Sequence, residues 1–298
     1  MNRIYSTAVI IHWGDPSPTI EVAQRYHQEG SFSKIVIVAN DLQPRPRALG
    51  VSPISWVIPP RNLGYGGGCN FGARQYPALK YAFLNADVTV KSNVIARCLD
   101  ALDIPGVGIS APALSSPDGT LQSGCGSVSR FMKIPRSDTW PTGSVTDCCW
   151  ATGAALFCSW EVVDALGFDG SYFLGTEDVD IGFRAKLAGW NVVVIGGEVT
   201  THPARTTLKG ARPVYYDMRN QIWFTRRHGS FVGGTAITFY MLRALPRVAL
   251  ADLFKRRRPS HGLLMIHGLV DGWRALPGSL EPLVGEPIPS RWIDWHHD

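Results

Sequence analysis

The chain has 298 residues, 45% of them hydrophobic, and a formal net charge of +5 with an isoelectric point near 8.9. This composition suits a packed globular core, and the mild basic excess suits an anionic or phosphate-bearing partner without requiring nucleic acid. The six cysteines show no paired spacing, the apolar N-terminal stretch is too short for a signal peptide, and no run of about 18 apolar residues occurs. We therefore expect a cytoplasmic protein with neither disulfides nor a spanning helix.

Short β-branched runs alternate with helical patterns in the first part of the chain. They predict strands at 8–12, 35–39, 55–58, 81–85 and 107–111, and helices at 19–28 and 93–102. This alternation is typical of an α/β fold with a mostly parallel central sheet flanked by helices, in which ligands bind beyond the carboxyl ends of the strands. The residues that end these strands are therefore candidate ligand contacts: His12, Asn40, Asp41, Asn85 and Asp87.

A segment rich in Ser, Gly and Pro follows at 114–146 and predicts a surface excursion with little regular structure. The α/β pattern then resumes, with helices at 160–166 and 178–188 and strands at 154–159 and 191–195. The last of these strands leads to Thr201 and His202.

The character of the chain changes near residue 230. The uncharged stretch FVGGTAITFYML is followed by a basic cluster at 255–258 and by the apolar stretch HGLLMIHGLVDGW. This combination favours either an interfacial helix on an anionic bilayer or helices that pack on the domain with their charges in solvent. We predict a domain at 1–228 and a basic, apolar helical extension at 229–298.

Three carboxylates crowd the stretch FLGTEDVDIGFR, where Glu177, Asp178 and Asp180 stand at the start of a predicted helix. Acids stabilise a helix N-terminus, and one or two would meet that need. The helix itself follows from one apolar stripe, expected to be buried, that consists of Val179, Phe183 and Leu187. The acids have two interpretations: they cap the helix, or they have a catalytic or metal-binding role.

A glycine-rich stretch, RNLGYGGGCNFGAR at 61–74, follows a strand and precedes a helix. Its glycines would let backbone amides approach a ligand closely, although a plain flexible turn is the alternative. It lacks the Lys of a P-loop, and it follows the third strand, whereas a dinucleotide-binding turn follows the first. Asp87 at the exit of the strand 81–85 could hold Mg²⁺ or Mn²⁺ against a diphosphate, or could simply cap the turn.

The ordered segments NLGYGGGCNFGAR, FLNADV, ATGAALFCSWEVVDALGFDGSYFLGTEDVDIGFRAKLAGW, THPA and YYDMRN resemble glycosyltransferase family 2. These are inverting enzymes with the GT-A fold, and the segments look closest to the bacterial rhamnosyltransferase-like branch. The resemblance covers residues 5–228. It implies a single displacement that moves a sugar, in this branch rhamnose, from a nucleoside-diphosphate donor to an acceptor hydroxyl.

The resemblance also implies roles for matching residues. The family's acidic metal motif falls on 85–87, with Ala where the family usually has Pro, so that Asp87 would bind the divalent cation. The family's xED motif falls on 176–178, which makes Asp178 the general base and Glu177 its neighbour or an acceptor-binding group. The family's late histidine falls on His202, a second metal ligand.

The same resemblance supplies further donor contacts. Asn62, Gly67, Gly68 and Asn70 would border the nucleotide and the sugar. Arg219, in the family's Tyr-Tyr-x-x-Arg-Asn stretch, would meet phosphate oxygens; a solvated helix face with aromatic anchors is the alternative. One departure concerns the base or ribose contact, because Val38-Ala39-Asn40-Asp41 stands where the family commonly has Val-Asp-Asn.

The implied partners are a nucleotide-sugar donor and a glycan, lipid-linked or small-molecule acceptor, with no nucleic acid. Peripheral contact with the inner face of the plasma membrane and a homodimer are left open. A nucleotide-sugar-binding protein of the same fold without turnover, an NAD-dependent oxidoreductase and a nucleotidyltransferase are the competing classes. The intact Glu177-Asp178 and Asp87 disfavour the first, and the position of the glycine stretch disfavours the second.

Overall fold

The computed structural model describes residues 4–202, 212–229, 231–256 and 260–274. Its strands are β1 Ile4–His12, β2 Lys34–Ala39, β3 Ser55–Val57, β4 Ala78–Asn85, β5 Val107–Ser115, β6 Leu121–Ser123, β7 Cys125–Val128, β8 Pro135–Thr139, β9 Val145–Cys148, β10 Ala155–Ser159 and β11 Asn191–Thr201. Its α-helices are α1 Pro16–Gln28, α2 Gly64–Gln75, α3 Ser92–Ala101, α4 Trp160–Ala165, α5 Glu177–Leu187, α6 Arg212–His228, α7 Phe231–Leu242, α8 Leu245–Ala251 and α9 Ser260–Arg274. Short 3₁₀ turns occur at Arg47–Leu49 and Gly170–Tyr172, and a π-helical turn occurs at Asp252–Arg256.

The central sheet has nine strands in the order β3-β2-β1-β4-β10-β5-β11-β9, with β6 paired to β5. Strands β1 to β4 pair in parallel, as do β5 and β11, whereas β10 runs antiparallel between β4 and β5. Strand β2 is apolar and almost entirely buried, as expected of a parallel strand covered on both faces. The predicted α/β fold with a mostly parallel sheet is confirmed.

Side chains alternate between the two faces of the sheet and form two cores. Ile10, Ile37 and Leu84 point to one face, where α1 and α3 pack. Val9, Val38 and Phe83 point to the other face, where α2, α4 and α5 pack. The carboxyl ends of β1, β2 and β4 therefore meet at one edge of the sheet, between these two helical layers.

The segment 114–146 differs from the prediction of little regular structure. It contains β6, the separate hairpin of β7 and β8, and β9, which pairs antiparallel with β11. Each of these strands has three to five residues. Strands this short have too few residues for a clear alternation of apolar and polar side chains, so their own composition does not reveal them.

The last helices pack on α6. Ile222 of α6 lies in one apolar cluster with Ile237 and Met241 of α7 and with Met265 and Leu269 of α9. Residues 257–258 of the predicted basic cluster lie outside the described residues, and the division at 228/229 stays a prediction. In the described part of the chain no helix has the length and apolarity needed to cross a bilayer. All six cysteines are free thiols.

Candidate active site at the carboxyl edge of the sheet

Asp178, the predicted catalytic base, lies beside the carboxyl end of β4. Its Oδ2 accepts a hydrogen bond from the backbone N–H of Gly153 at 2.7 Å. The next carbonyl, of Ala154, accepts a hydrogen bond from the backbone N–H of Asn85 at 3.0 Å. Two adjacent residues thus connect Asp178 to the strand end that carries the predicted Asn85-x-Asp87 motif.

Asp178 is half-buried, and its two carboxylate oxygens receive separate backbone donors. Oδ1 accepts from the N–H of Val179 at 2.8 Å, in addition to the contact of Oδ2 with Gly153. Burial raises the pKa of Asp178 and outweighs these hydrogen bonds, which lower it. The carboxylate is therefore a stronger base than an exposed aspartate and has a fixed orientation.

Glu177 is buried, with 6% of its surface exposed. Its Oε2 has no hydrogen-bond partner among the described residues. Burial, and then the charge of Asp178, raise the pKa of Glu177 to about 8. Glu177 is thus mostly protonated at neutral pH, so that the adjacent pair carries one negative charge.

The loop before this pair has an unusual backbone. Phe173 and Thr176 have φ values of 64° and 74°, in the left-handed region that L-residues other than Asn and Asp rarely adopt, and Gly175 lies there too. The Phe173 carbonyl accepts from the N–H of Tyr65 at 2.7 Å. Gly64 is required beside it, because a Cβ there would lie 2.2 Å from the Phe173 oxygen.

Asn220 of α6 holds the other side of this loop. Its Nδ2 donates to the carbonyls of Tyr172 at 3.0 Å, Leu174 at 2.9 Å and Gly175 at 2.7 Å. Three carbonyls within one turn are thus held by one buried amide. The prediction matched Asn220 to a motif but gave it no role, because nothing in the sequence shows which carbonyls it meets.

Arg219 is buried beside Asn220, with 2% of its surface exposed. Its Nη2 donates to the carbonyls of Ser171 at 3.1 Å and Tyr172 at 2.7 Å, and its guanidinium lies 4.0 Å from the centre of the Trp223 ring. A guanidinium that is enclosed in this way supports the loop. The expected contact of Arg219 with phosphate oxygens stays a prediction.

The sequence allows Asp180 to be a helix-capping acid, but the structure gives it another role. It is fully buried, and it accepts from Arg184 Nε at 2.6 Å and pairs with His228 Nε2 at 2.8 Å. Burial alone would raise the pKa of Asp180, but the hydrogen bond from His228 and the charge of Arg184 lower it overall. Asp180 therefore joins α5 to α6. The predicted apolar stripe also ends early, because Leu187 is 69% exposed.

The structure brings together the two predicted metal ligands, Asp87 and His202. His202 Nε2 lies 3.3 Å from Asp87 Oδ1, and both side chains are partly exposed. His202 Nδ1 lies 2.7 Å from Oε1 of Gln122, which belongs to the segment predicted to be irregular. No group of three or more His, Cys, Asp and Glu suited to a metal occurs in the described ranges.

The predicted donor contacts on β1 and β2 are mostly buried. His12 is fully buried, with Nδ1 at 2.8 Å from Thr19 Oγ1 and Nε2 at 3.4 Å from Asp41 Oδ2. Burial lowers the pKa of His12, so the ring is neutral. Asn40 is 3% exposed and holds the start of α2 through Leu63 N–H and the Gly64 carbonyl. The side chains of His12 and Asn40 thus hold neighbouring segments of the fold, and their contact with the nucleotide stays a prediction.

The glycine stretch forms helix α2, which contradicts the predicted open loop. Asn62 caps it by accepting from the Gly64 N–H at 2.9 Å. A Cβ on Gly68 would lie 3.2 Å from Ile11 Cδ1, and one on Gly67 would lie 2.9 Å from Leu63 Cβ, so these glycines allow close packing. Asn70 donates from Nδ2 to the Phe168 carbonyl at 2.8 Å and accepts at Oδ1 from the Phe168 N–H at 3.0 Å, and its predicted sugar contact stays a prediction.

Known proteins resemble this chain in structure but not in sequence. No protein-family model and no curated protein matches the sequence. Among solved structures, S. aureus TarS 1–349 has 10% identity and a TM-score of 0.57, over 92% of this chain and 81% of that one. The mannosyltransferase PcManGT from Pyrobaculum calidifontis, in complex with GDP-Man and Mn²⁺, has 14% identity and a TM-score of 0.53, over 92% and 88%.

GalNAc-T7 with UDP, GalNAc and Mn²⁺ is also similar, with 14% identity and a TM-score of 0.57. The match covers 74% of this chain and 48% of that one, so the chain spans about half the length of GalNAc-T7. Identities this low establish the fold alone. The protein has the GT-A fold of nucleotide-sugar glycosyltransferases, and the predicted fold class is confirmed.

The triple contact of Asn220 predicts that the loop before Glu177 loosens when that amide is removed. We expect Asn220→Ala to lower the free energy of unfolding by about 1–3 kcal/mol, because the carbonyls of Leu174 and Gly175 lose their side-chain donor, while that of Tyr172 keeps Arg219. Amide hydrogen exchange at residues 173–179 should become faster. Gln221→Ala is the matched control, because the Gln221 amide meets only the exposed Asp217 on the same helix. Equal exchange in the two variants would contradict this role.

The raised pKa of Glu177 predicts a stability that falls as pH rises. The folded state keeps the proton up to about pH 8, whereas the unfolded chain loses it near its ordinary value of 4.5. Stability is therefore lost between these values, and Glu177→Gln should stabilise the fold by about 1–3 kcal/mol more at pH 8 than at pH 5. Thermal unfolding at both pH values measures this. Exposed Glu21→Gln is the control, and an equal shift in both variants would refute the prediction.

Proposed function

We propose that the protein is an inverting glycosyltransferase that moves a sugar from a nucleoside-diphosphate donor to an acceptor hydroxyl in one displacement. The observation that carries the proposal is the position of Asp178 next to the exit of β4, through Gly153 and Ala154. Asp87 and His202 stand together just beyond that exit. The similar structures, which hold UDP, GDP-Man or UDP-GlcNAc, support the donor class.

Asp178 is proposed as the general base. Inversion requires one base on the face of the sugar opposite the leaving group, and a positioned base contributes typically ~10²–10⁴ in rate. Its fixed oxygens and raised pKa suit removal of a hydroxyl proton. Glu177, kept neutral beside it, leaves the charge of the pair on Asp178 and would orient the acceptor.

Asp87 and His202 are proposed as ligands of a divalent cation, Mg²⁺ or Mn²⁺. One carboxylate and one imidazole at 3.3 Å, both partly exposed, fit a cation that takes its remaining ligands from donor phosphates and water. When bound, such an ion would neutralise charge on the departing diphosphate. Gln122 would orient His202 through Nδ1. Two of the similar structures hold Mn²⁺.

The finer assignments rest on the sequence resemblance and stay proposals. Rhamnose is the proposed sugar, and Asp41 is the proposed contact to the base or ribose. Gly14 N–H and His12 hold the Asp41 carboxylate at the ends of β1 and β2. A glycan or lipid-linked acceptor is proposed, and a homodimer remains a prediction. A screen of nucleoside diphosphates by thermal shift, with and without Mn²⁺, identifies the donor base.

Asp178→Asn is the direct test of the proposed base. We expect kcat for transfer or donor hydrolysis to fall by ~10²–10⁴ because the amide cannot take the proton. Donor affinity and thermal stability should change little. Exposed Asp100→Asn on α3 is the matched control. Near-normal turnover in Asp178→Asn would remove Asp178 from the mechanism, and absence of turnover in the natural protein with every donor would favour a binding protein.

Asp87→Ala tests the proposed cation site. We expect the gain in nucleoside-diphosphate affinity that Mn²⁺ gives the natural protein to fall by roughly tenfold or more, because the ion loses its carboxylate. Calorimetric titration with and without Mn²⁺ measures the effect, with exposed Asp118→Ala as control. If the affinity of the natural protein is the same in both conditions, the cation site is refuted.

A further inference from the structure

The outer face of α7 is apolar and exposed, the reverse of an ordinary surface helix. The inner face, with Gly233, Ile237 and Met241, is buried. The outer side chains are 63–71% exposed, and they are Phe231, Val232, Phe239 and Tyr240. Singly exposed apolar residues are ordinary, but four large ones on one helix of twelve residues leave an unusual amount of apolar surface in water.

A second chain segment extends this patch. The tip of the β7–β8 hairpin carries Phe131, which is 83% exposed, and Met132, which is 42% exposed. The tip lies against the start of α7, because a Cβ on Gly233 would lie 2.4 Å from the Met132 carbonyl oxygen. We call Phe131, Met132 and the four outer residues of α7 the apolar face. The backbone of the hairpin tip thus meets α7 at Gly233, so two segments distant in the chain carry exposed apolar side chains near the start of α7.

Arginines border the apolar face, and acids are absent from this part of the sequence. Arg130 places its guanidinium 5.7 Å from the centre of the Phe131 ring. Arg243 is exposed and directly follows Leu242, the last residue of α7. Exposed Arg247 follows on α8. No Asp or Glu occurs between Asp217 and Asp252.

We propose that the apolar face docks on the surface of an anionic lipid bilayer, with α7 lying along the interface. Aromatic and aliphatic side chains would enter the boundary between headgroups and acyl chains, while Arg130, Arg243 and Arg247 would meet lipid phosphates. These arginines, together with the lack of Asp and Glu at 218–251, complement a negative surface. A helix of twelve residues is too short to span, which restricts α7 to the surface. The proposal does not depend on the transfer reaction.

The test is sedimentation of the full chain with lipid vesicles. We expect binding to vesicles of equal parts phosphatidylcholine and phosphatidylglycerol, and much weaker binding to phosphatidylcholine alone. Phe239→Ser should lower the partition coefficient by roughly tenfold, because an interfacial aromatic is lost. Arg243→Gln should lower it by about fivefold, on the mixed vesicles only. Phe131→Ser should act like Phe239→Ser although it lies in another segment.

Leu187→Ser on α5 is the matched control, since Leu187 is as exposed as Phe239 but lies outside the apolar face. Each variant is first checked for an unchanged unfolding temperature. Binding of Phe239→Ser and Phe131→Ser equal to that of the natural protein would overturn the proposal. So would a dimer in solution that Phe239→Ser dissociates, which would assign the face to a second copy. Because no step needs turnover, failure here leaves the proposed reaction untouched.

Discussion

The position of the acidic pair depends on how the loop 171–176 is held. The left-handed conformations of Phe173 and Thr176 are unfavourable by themselves, at a cost of order 1–3 kcal/mol each, and need contacts that determine them. Asn220 supplies three hydrogen bonds from one side, and Tyr65 of α2 supplies one from the other. The loop thereby places Asp178 against Gly153, which lies next to the end of β4.

The helices that follow the sheet support the loop 171–176 and helix α5. Helix α6 contributes Arg219 and Asn220 to the loop, and His228 to the buried Asp180. The same helix packs against α7 and α9 through Ile222. The proposed catalytic loop and the apolar face are thus supported by opposite sides of one helix. We infer that α6 sets the distance between the acidic pair and any surface that the apolar face contacts.

The strands and helices of the α/β core could be predicted because β-branched runs and helical periodicity are local signals. The predicted strand 35–39 and the observed Lys34–Ala39 differ by one residue. The short strands at 121–148 could not be predicted, since three to five residues give no clear alternation of apolar and polar side chains. The two residues that motif matching assigned to the metal lie close together, with His202 Nε2 at 3.3 Å from Asp87 Oδ1. Motif matching could not tell a ligand contact from a structural one: Arg219, His12 and Asn70 are polar groups whose partners are backbone or buried side chains.

The central claim is that Asp178 and the Asp87–His202 pair border the same donor. Paramagnetic broadening by Mn²⁺ tests it most directly, in an amide NMR spectrum recorded with a bound nucleoside diphosphate and compared with the same sample in Mg²⁺. We expect strong, selective loss of the signals from the Gly153 and Val179 amides, which are the two donors to Asp178. Sharp signals from these two amides, with the broadening centred on another part of the chain, would contradict it.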